Sequence, residues 1–260
     1  MEGRKPIAET EYHKVARYQI IFAYDGTGLS GSQRQATART AQSELEKALR
    51  HLGWQAQSVL LAGRTDSGVH ASGQVATFDL QWNHSTDALL RALNSNLPAE
   101  MAVSAAKVVP DDFHPRFDAT SRRYRYRLYC QQVRDPLRDR YLWRQWPAPD
   151  GSALQAAAQL LIGRHDFAAF GTPPRPGNSS VRTVMKAEWW SLGDEWIFEI
   201  QADAFLYHMV RRLVFVQVAV GLGKFPAQLI AEALQDRHPF VPIGLAPANG
   251  LTLVEVTYPE

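Results

Sequence analysis

The order of apolar and polar positions divides the chain into two runs of strands and helices. Residues 1–16 carry no periodic pattern and are expected to form a flexible tail. A β-like run over Tyr18–Tyr24 leads into a glycine-rich turn from Asp25 to Gly31. From Thr40, whose hydroxyl suits an N-cap, Ala41, Leu45, Ala48, Leu49 and Leu52 recur at helical spacing until Gly53 ends the helix. Strands are predicted over Ser58–Ala62 and Gln74–Leu80, flanking the turn from Gly63 to Gly68. A helix from about Thr86 to Leu93 and a strand at Val103–Val109 complete this half.

The second half repeats the order. Tyr124–Cys130 predicts a strand and Ser152–Ile162 an Ala-rich helix. Met185–Leu192 and Trp196–Ala204 predict a hairpin across Gly193 and Asp194. Leu206–Val220 predicts a long helix, Pro226–Leu234 a shorter one and Leu251–Tyr258 a last strand. Pro147–Pro149 and Thr172–Gly177 punctuate the half as surface loops. The expected fold is α/β (α+β), with two ferredoxin-like β-α-β-β-α-β halves whose sheets meet at a central cleft. The boundaries fall at residues 17–117 and 118–260. No residue-level repeat links the halves, so the duplication is architectural.

Composition narrows the class. The 260 residues are 45% apolar and 21% charged, which excludes collagen-like, disulfide-dense and wholly disordered chains. No apolar run is long enough for a membrane span, and the polar N-terminus lacks the apolar centre of a signal peptide. The single cysteine, Cys130, forbids an intramolecular disulfide, excludes a Cys-based zinc site and fits a reducing cytoplasm. The net charge of +2 is uninformative, but its distribution is not. Nine arginines stand against three aspartates between Arg116 and Arg144, and the chain holds 22 Arg to 6 Lys. Such a block suits a polyanion-binding face; the plainer alternative is a salt-bridged surface.

Four constellations could carry chemistry. Gly26, Gly28 and Gly31 match GxGxxG after a strand, but the helix starts about nine residues later, too far to receive a pyrophosphate. A turn that needs flexible glycines is the better account. The segment Gly63-Arg64-Thr65-Asp66-Ser67-Gly68 presents a cation and a carboxylate on a loop between strands, or else an Asp-stabilised turn. Along the strand that follows Thr120, alternation places Tyr124, Tyr126 and Leu128 on one face and Arg123, Arg125 and Arg127 on the other. That arginine row could contact phosphates, and a tyrosine could stack on an unpaired base or fill the core. The helix from Leu206 to Val220 is apolar nearly all round, so its Arg211 and Arg212 need partners; Asp66 is a candidate.

Several segments together resemble one family, the tRNA pseudouridine synthases of the TruA type. They are Tyr24-Asp-Gly-Thr27, Gly31-Ser-Gln33-Arg-Gln35, Gly63-Arg-Thr-Asp-Ser-Gly-Val-His-Ala71 with Gly73-Gln-Val75, and Phe113-His-Pro-Arg-Phe117. Arg123-Tyr-Arg-Tyr126, Arg182-Thr-Val184, His208-Met-Val-Arg211 and Gly250-Leu-Thr-Leu253 continue the series in order. Ser32 departs from the family pattern, which usually has tryptophan there. The resemblance implies the pseudouridine synthase fold and the isomerisation of uridine to pseudouridine at positions 38–40 of the tRNA anticodon stem-loop, without cofactor or metal. It implies Asp66 as the catalytic carboxylate, whether that group attacks the ribose, attacks the uracil or assists elimination. Tyr124 is implied to pack on the target base, Arg64 to hold the flipped-out nucleotide, Arg211 to pair with Asp66, and Leu251 to wall the pocket. A cytoplasmic homodimer with tRNA across both subunits is implied as well. Two other readings compete: a non-catalytic RNA-binding module, which leaves Asp66 in its loop unexplained, and a dinucleotide-dependent enzyme resting on the glycine loop alone.

Overall fold

A computed structural model of the protein describes residues 15–175, 177–235 and 241–259. The tail expected over residues 1–16 therefore lies outside the described residues, except for Val15 and Ala16. The first half runs β1 (Ala16–Tyr24), α1 (Ala41–His51), β2 (Leu60–Leu61), β3 (His70–Leu80), α2 (Thr86–Asn96) and β4 (Met101–Val109). Helix α1 starts after the Thr40 cap that its sequence suggests. The Thr40 hydroxyl accepts from the Ser43 amide, and the Ser43 hydroxyl accepts from the Thr40 amide, so two otherwise free donors are satisfied reciprocally. Leu45 and Leu49 of α1, with Leu89 and Leu93 of α2, are fully buried in the same core as Ile20 and Phe22 of β1.

The second half runs β5 (Ser121–Tyr129), β6 (Trp143–Arg144), α3 (Gly151–Gln159), β7 (Gly163–Asp166), β8 (Val181–Leu192), β9 (Glu195–Ala202), α4 (Met209–Gly221), α5 (Gln228–Leu234) and β10 (Leu251–Thr257). Gly193, at φ +61°, turns β8 into β9. Strands β6 and β7 have no counterpart in the sequence reading, because two and four residues are too short to show a period. Helix α4 is buried along most of its length, and its Gln217 accepts from the Trp189 indole at 2.9 Å.

Both halves use the strand order fourth, first, third, second. That is β4-β1-β3-β2 in the first half and β10-β5-β9-β8 in the second, with β7 outside β8. The two expected sheets are in fact continuous. Strand β10 lies between the halves, parallel to β3 through Thr252–His70 and Leu253–Ala71, and antiparallel to β5. Three neighbouring strands therefore serve one place: the loop entering β3, the middle of β5 and the start of β10. Among the described residues no helix is long and apolar enough to cross a membrane.

Candidate active site

The loop from Gly63 to Val69 enters β3 and is anchored from beneath by buried polar groups. The Ser32 amide donates to the Thr65 carbonyl at 3.1 Å, and the Ser32 hydroxyl accepts from the Thr65 amide at 2.8 Å. Tyr24 and Thr65 join their hydroxyls at 2.8 Å, while the Gln74 amide donates to the Gly63 carbonyl at 3.0 Å. The glycines of the first loop let it touch the second. A Cβ at Gly26 would stand 2.0 Å from the Val69 carbonyl oxygen, and one at Gly31, where φ is +88°, 2.8 Å from that of Thr65. Close backbone approach thus accounts for two glycines of the GxGxxG match.

Asp66 projects from this anchored loop toward the other half. Its Oδ2 lies 2.9 Å from Nη1 of Arg211 and 3.4 Å from Nε2 of His208. Arg211 sits in the first turn of α4, where its side chain is only 13% exposed, against 20% for Asp66. Its Nε donates to the Ala246 carbonyl at 2.7 Å, and the Ala246 amide returns a bond to the Arg211 carbonyl at 3.2 Å. The buried helix therefore delivers a cation to a carboxylate of the opposite half, with both orientations fixed. His208, just before α4, has φ 66° and ψ 0°, a left-handed conformation uncommon outside glycine. Its ring stacks on Tyr207 with centroids 3.6 Å apart. Burial lowers the His208 pKa from its ordinary value; the Asp66 charge opposes this, while Arg211 and Arg212 add to it.

These groups line a cleft of about 880 Å³ that also takes in Arg64, Tyr124 and Leu251. Tyr124 and Leu251 are buried walls, and the Tyr124 ring packs edge-on against Phe205, centroids 5.0 Å apart. Burial holds the Tyr124 phenol well above its ordinary pKa, so it is protonated at neutral pH. Its hydroxyl has no hydrogen-bond partner among the described residues. Arg64 is exposed and has no carboxylate partner among them. Tyr126 belongs to the core instead: it is fully buried and donates to the Pro247 carbonyl at 2.8 Å. Among the described residues no three His, Cys, Asp or Glu side chains converge as metal ligands.

The arginine row lies on the sheet face opposite Tyr124, as alternation requires. Arg123 reaches Glu255 at 2.8 Å and Glu199 at 3.4 Å, Arg125 reaches Glu199 at 2.8 Å, and Arg127 reaches Glu195 at 2.7 Å. The cleft side of β5 carries a different arginine that the sequence reading passed over. Arg122 is buried and donates to the carbonyls of Ala119 and Asp203, at 3.2 and 2.8 Å, and to that of Arg116. It shares the parity of Tyr124, so alternation along the strand that follows Thr120 was the available signal. Ser32 and His208 were likewise unassigned, although both fall inside quoted motifs.

Comparison with known proteins identifies the family. A tRNA pseudouridine synthase family profile matches residues 20–118 and 157–259. A tRNA pseudouridine synthase A of Limosilactobacillus fermentum is 40% identical over 250 residues, covering 93% of this chain and 96% of that one. Proteins of the same name from a Methylobacterium and an Enterobacter are 41% and 39% identical, over 94% and 98% of this chain and 98% and 94% of theirs. The chain belongs to the tRNA pseudouridine synthase family.

Proposed function

We propose that the protein isomerises uridine to pseudouridine in the anticodon stem-loop of tRNA, at positions 38–40, with Asp66 as the catalytic carboxylate. The observation that carries this reading is the Asp66–Arg211 pair, fixed on both sides and set beside Tyr124 and Leu251 in one cleft. The reaction breaks the N1–C1′ bond of uridine, turns the base and joins C5 to C1′. The C5 proton is lost and N1 gains one, so no atom is added overall. An ionised carboxylate serves as nucleophile toward the ribose or the base, or assists elimination. Arg211 orients it in each case.

A uridine in a stem must leave its stack to reach a recessed carboxylate, at a cost of a few kcal/mol. Arg64, an exposed cation on the Asp66 loop, supports the displaced nucleotide. Tyr124 offers its plane to the uracil, with Leu251 as an apolar wall. Tyr124 acts as a stacking surface or moves a proton through its hydroxyl, whose pKa burial raises. Arg64 and Arg116, exposed cleft cations without carboxylate partners among the described residues, meet the RNA backbone. Arg123 and Arg125 would reach phosphate only by exchanging Glu199 and Glu255 for it. The active species is a homodimer in the cytoplasm, with tRNA spanning both subunits. Release of tritium from tRNA labelled at uridine C5, without added cofactor, tests the reading; tRNA binding with no release would refute it.

A further inference from the structure

Beside the cleft stands an aromatic ring with no role in the core. Phe117 is 75% exposed, yet it sits in a braced turn. His114 Nδ1 accepts from the amides of Arg116 and Phe117 at 3.1 and 3.4 Å. The His114 amide donates to Asp118 Oδ2 at 2.8 Å, and the Asp118 amide donates back to the His114 carbonyl at 3.1 Å. The Tyr258 hydroxyl holds the Pro115 carbonyl at 2.7 Å, and Arg122 holds that of Arg116. Every turn of backbone around Phe117 is thus tied down, while the ring itself faces out.

The ring is also backed. His114 lies against it with centroids 4.2 Å apart and planes 33° apart, and the Arg116 guanidinium lies 5.8 Å from its centroid. His114, Arg116 and Phe117 line the same cleft as Asp66 and Tyr124. Leaving a phenyl ring in water forgoes its burial energy, and bracing the turn holds it ready for an external plane. A nucleobase fits, because its face accepts stacking whatever its identity, and the adjacent cation suits a phosphate.

We infer that Phe117 is a stacking platform for a nucleobase next to the target uridine, with Arg116 on the neighbouring phosphate. This rests on the reading that the cleft takes tRNA. Once the uridine leaves its stack, the adjacent base loses a neighbour on one side, and the Phe117 ring replaces it. Uridine extrusion is then stabilised from outside the catalytic pocket as well as from within.

The test uses the full-length protein and an anticodon stem-loop RNA with one target uridine, carrying 2-aminopurine on its 5′ or its 3′ side. Phe117→Ala, Phe117→Leu and Phe117→Trp are compared with wild type for RNA affinity, 2-aminopurine fluorescence and single-turnover tritium release. Loss of one stacked base is expected to weaken RNA binding roughly 5- to 100-fold in Phe117→Ala. Phe117→Trp should retain binding, and Phe117→Leu, apolar but without a plane, should follow Ala. One of the two 2-aminopurine positions should be quenched by wild type and Phe117→Trp but not by Phe117→Ala. Melting and sedimentation run alongside, since an exposed ring should leave both unchanged. Three results overturn the inference: Phe117→Ala binding as wild type does, Phe117→Leu matching Phe117→Trp, or Phe117→Ala altering the oligomeric state, which would make the ring a protein contact. Wild type that neither binds nor isomerises the RNA would refute the functional reading itself, a result distinct from these.

Discussion

Replacing Arg211 with methionine keeps the apolar bulk of α4 and removes its link to Asp66. Two bonds disappear, the 2.9 Å contact with Asp66 and the 2.7 Å contact with the Ala246 carbonyl. A charge-assisted hydrogen bond is worth about 1.5–3 kcal/mol, and a buried acceptor left unpaired costs about 1–3 kcal/mol. Breaking a fully buried pair costs about 3–5 kcal/mol. Here the side chains retain 13% and 20% exposure, so water recovers part of that energy. A destabilisation of about 2–4 kcal/mol follows, or a fall in Tm of roughly 5–15 °C for a chain of this size. The carboxylate also loses its orienting partner, and misplacement by about 1 Å costs on the order of 100-fold in rate. A double-mutant cycle with Asp66→Asn separates the pair from general damage to the helix. Denaturant melts of both single variants and the double variant should give a coupling above about 1 kcal/mol. Arg211→Lys should recover part of the activity that Arg211→Met loses. A coupling below about 0.5 kcal/mol, or a folded Arg211→Met enzyme with wild-type turnover, would refute the pairing.

Three further outcomes are expected. If Tyr124 contributes only its plane, Tyr124→Phe should keep turnover within a few-fold and Tyr124→Leu should lose it; loss in both assigns the hydroxyl to proton donation, and wild-type rates in both would make the residue structural. RNA affinity should fall steeply with salt, and the slope of log affinity against log salt should drop more for Arg64→Gln/Arg116→Gln than for Arg123→Gln/Arg125→Gln, since the latter arginines are paired with glutamates; the reverse ranking would move the RNA to the other sheet face. Burial lowers the pKa of His70 and of His208 from the ordinary 6.5, so the unfolded chain takes up their protons first as pH falls. Stability from these two groups is therefore complete above about pH 6.5 and declines below it. Tm measured from pH 7.5 to 5.5 should drop less in His70→Gln than in wild type, and equal slopes would contradict the assignment.

Local chemistry was legible in the chain wherever a few neighbouring residues set it. Thr40 marks the start of α1, Gly193 marks the β8–β9 turn, and an arginine in a helix as apolar as α4 calls for a carboxylate. What was not legible depends on distant pairing. Nothing near Leu251 signals that β10 inserts between β3 and β5 and fuses the two sheets. The glutamates that meet the arginine row come from β9 and β10, about 70 to 130 residues away in sequence, so the row reads as free charge until its neighbours are in place. Arg122 gives no sign of burial until the Asp203 carbonyl, 81 residues away, is in place. The left-handed backbone of His208 has no decisive sequence signature, because histidine, although enriched there among non-glycine residues, adopts it in only a small share of cases. The Ser32 clamp on Thr65 joins two loops 33 residues apart and becomes visible only once they touch.

The central claim is that the carboxylate of Asp66 carries the isomerisation, and tritium release from tRNA labelled at uridine C5 tests it most directly. Wild type should release the label without added cofactor, in step with the appearance of pseudouridine. Asp66→Asn keeps the shape of the side chain and removes its charge, so it should bind tRNA within a few-fold of wild type and release no label. Release by Asp66→Asn at a rate near that of wild type would contradict the account.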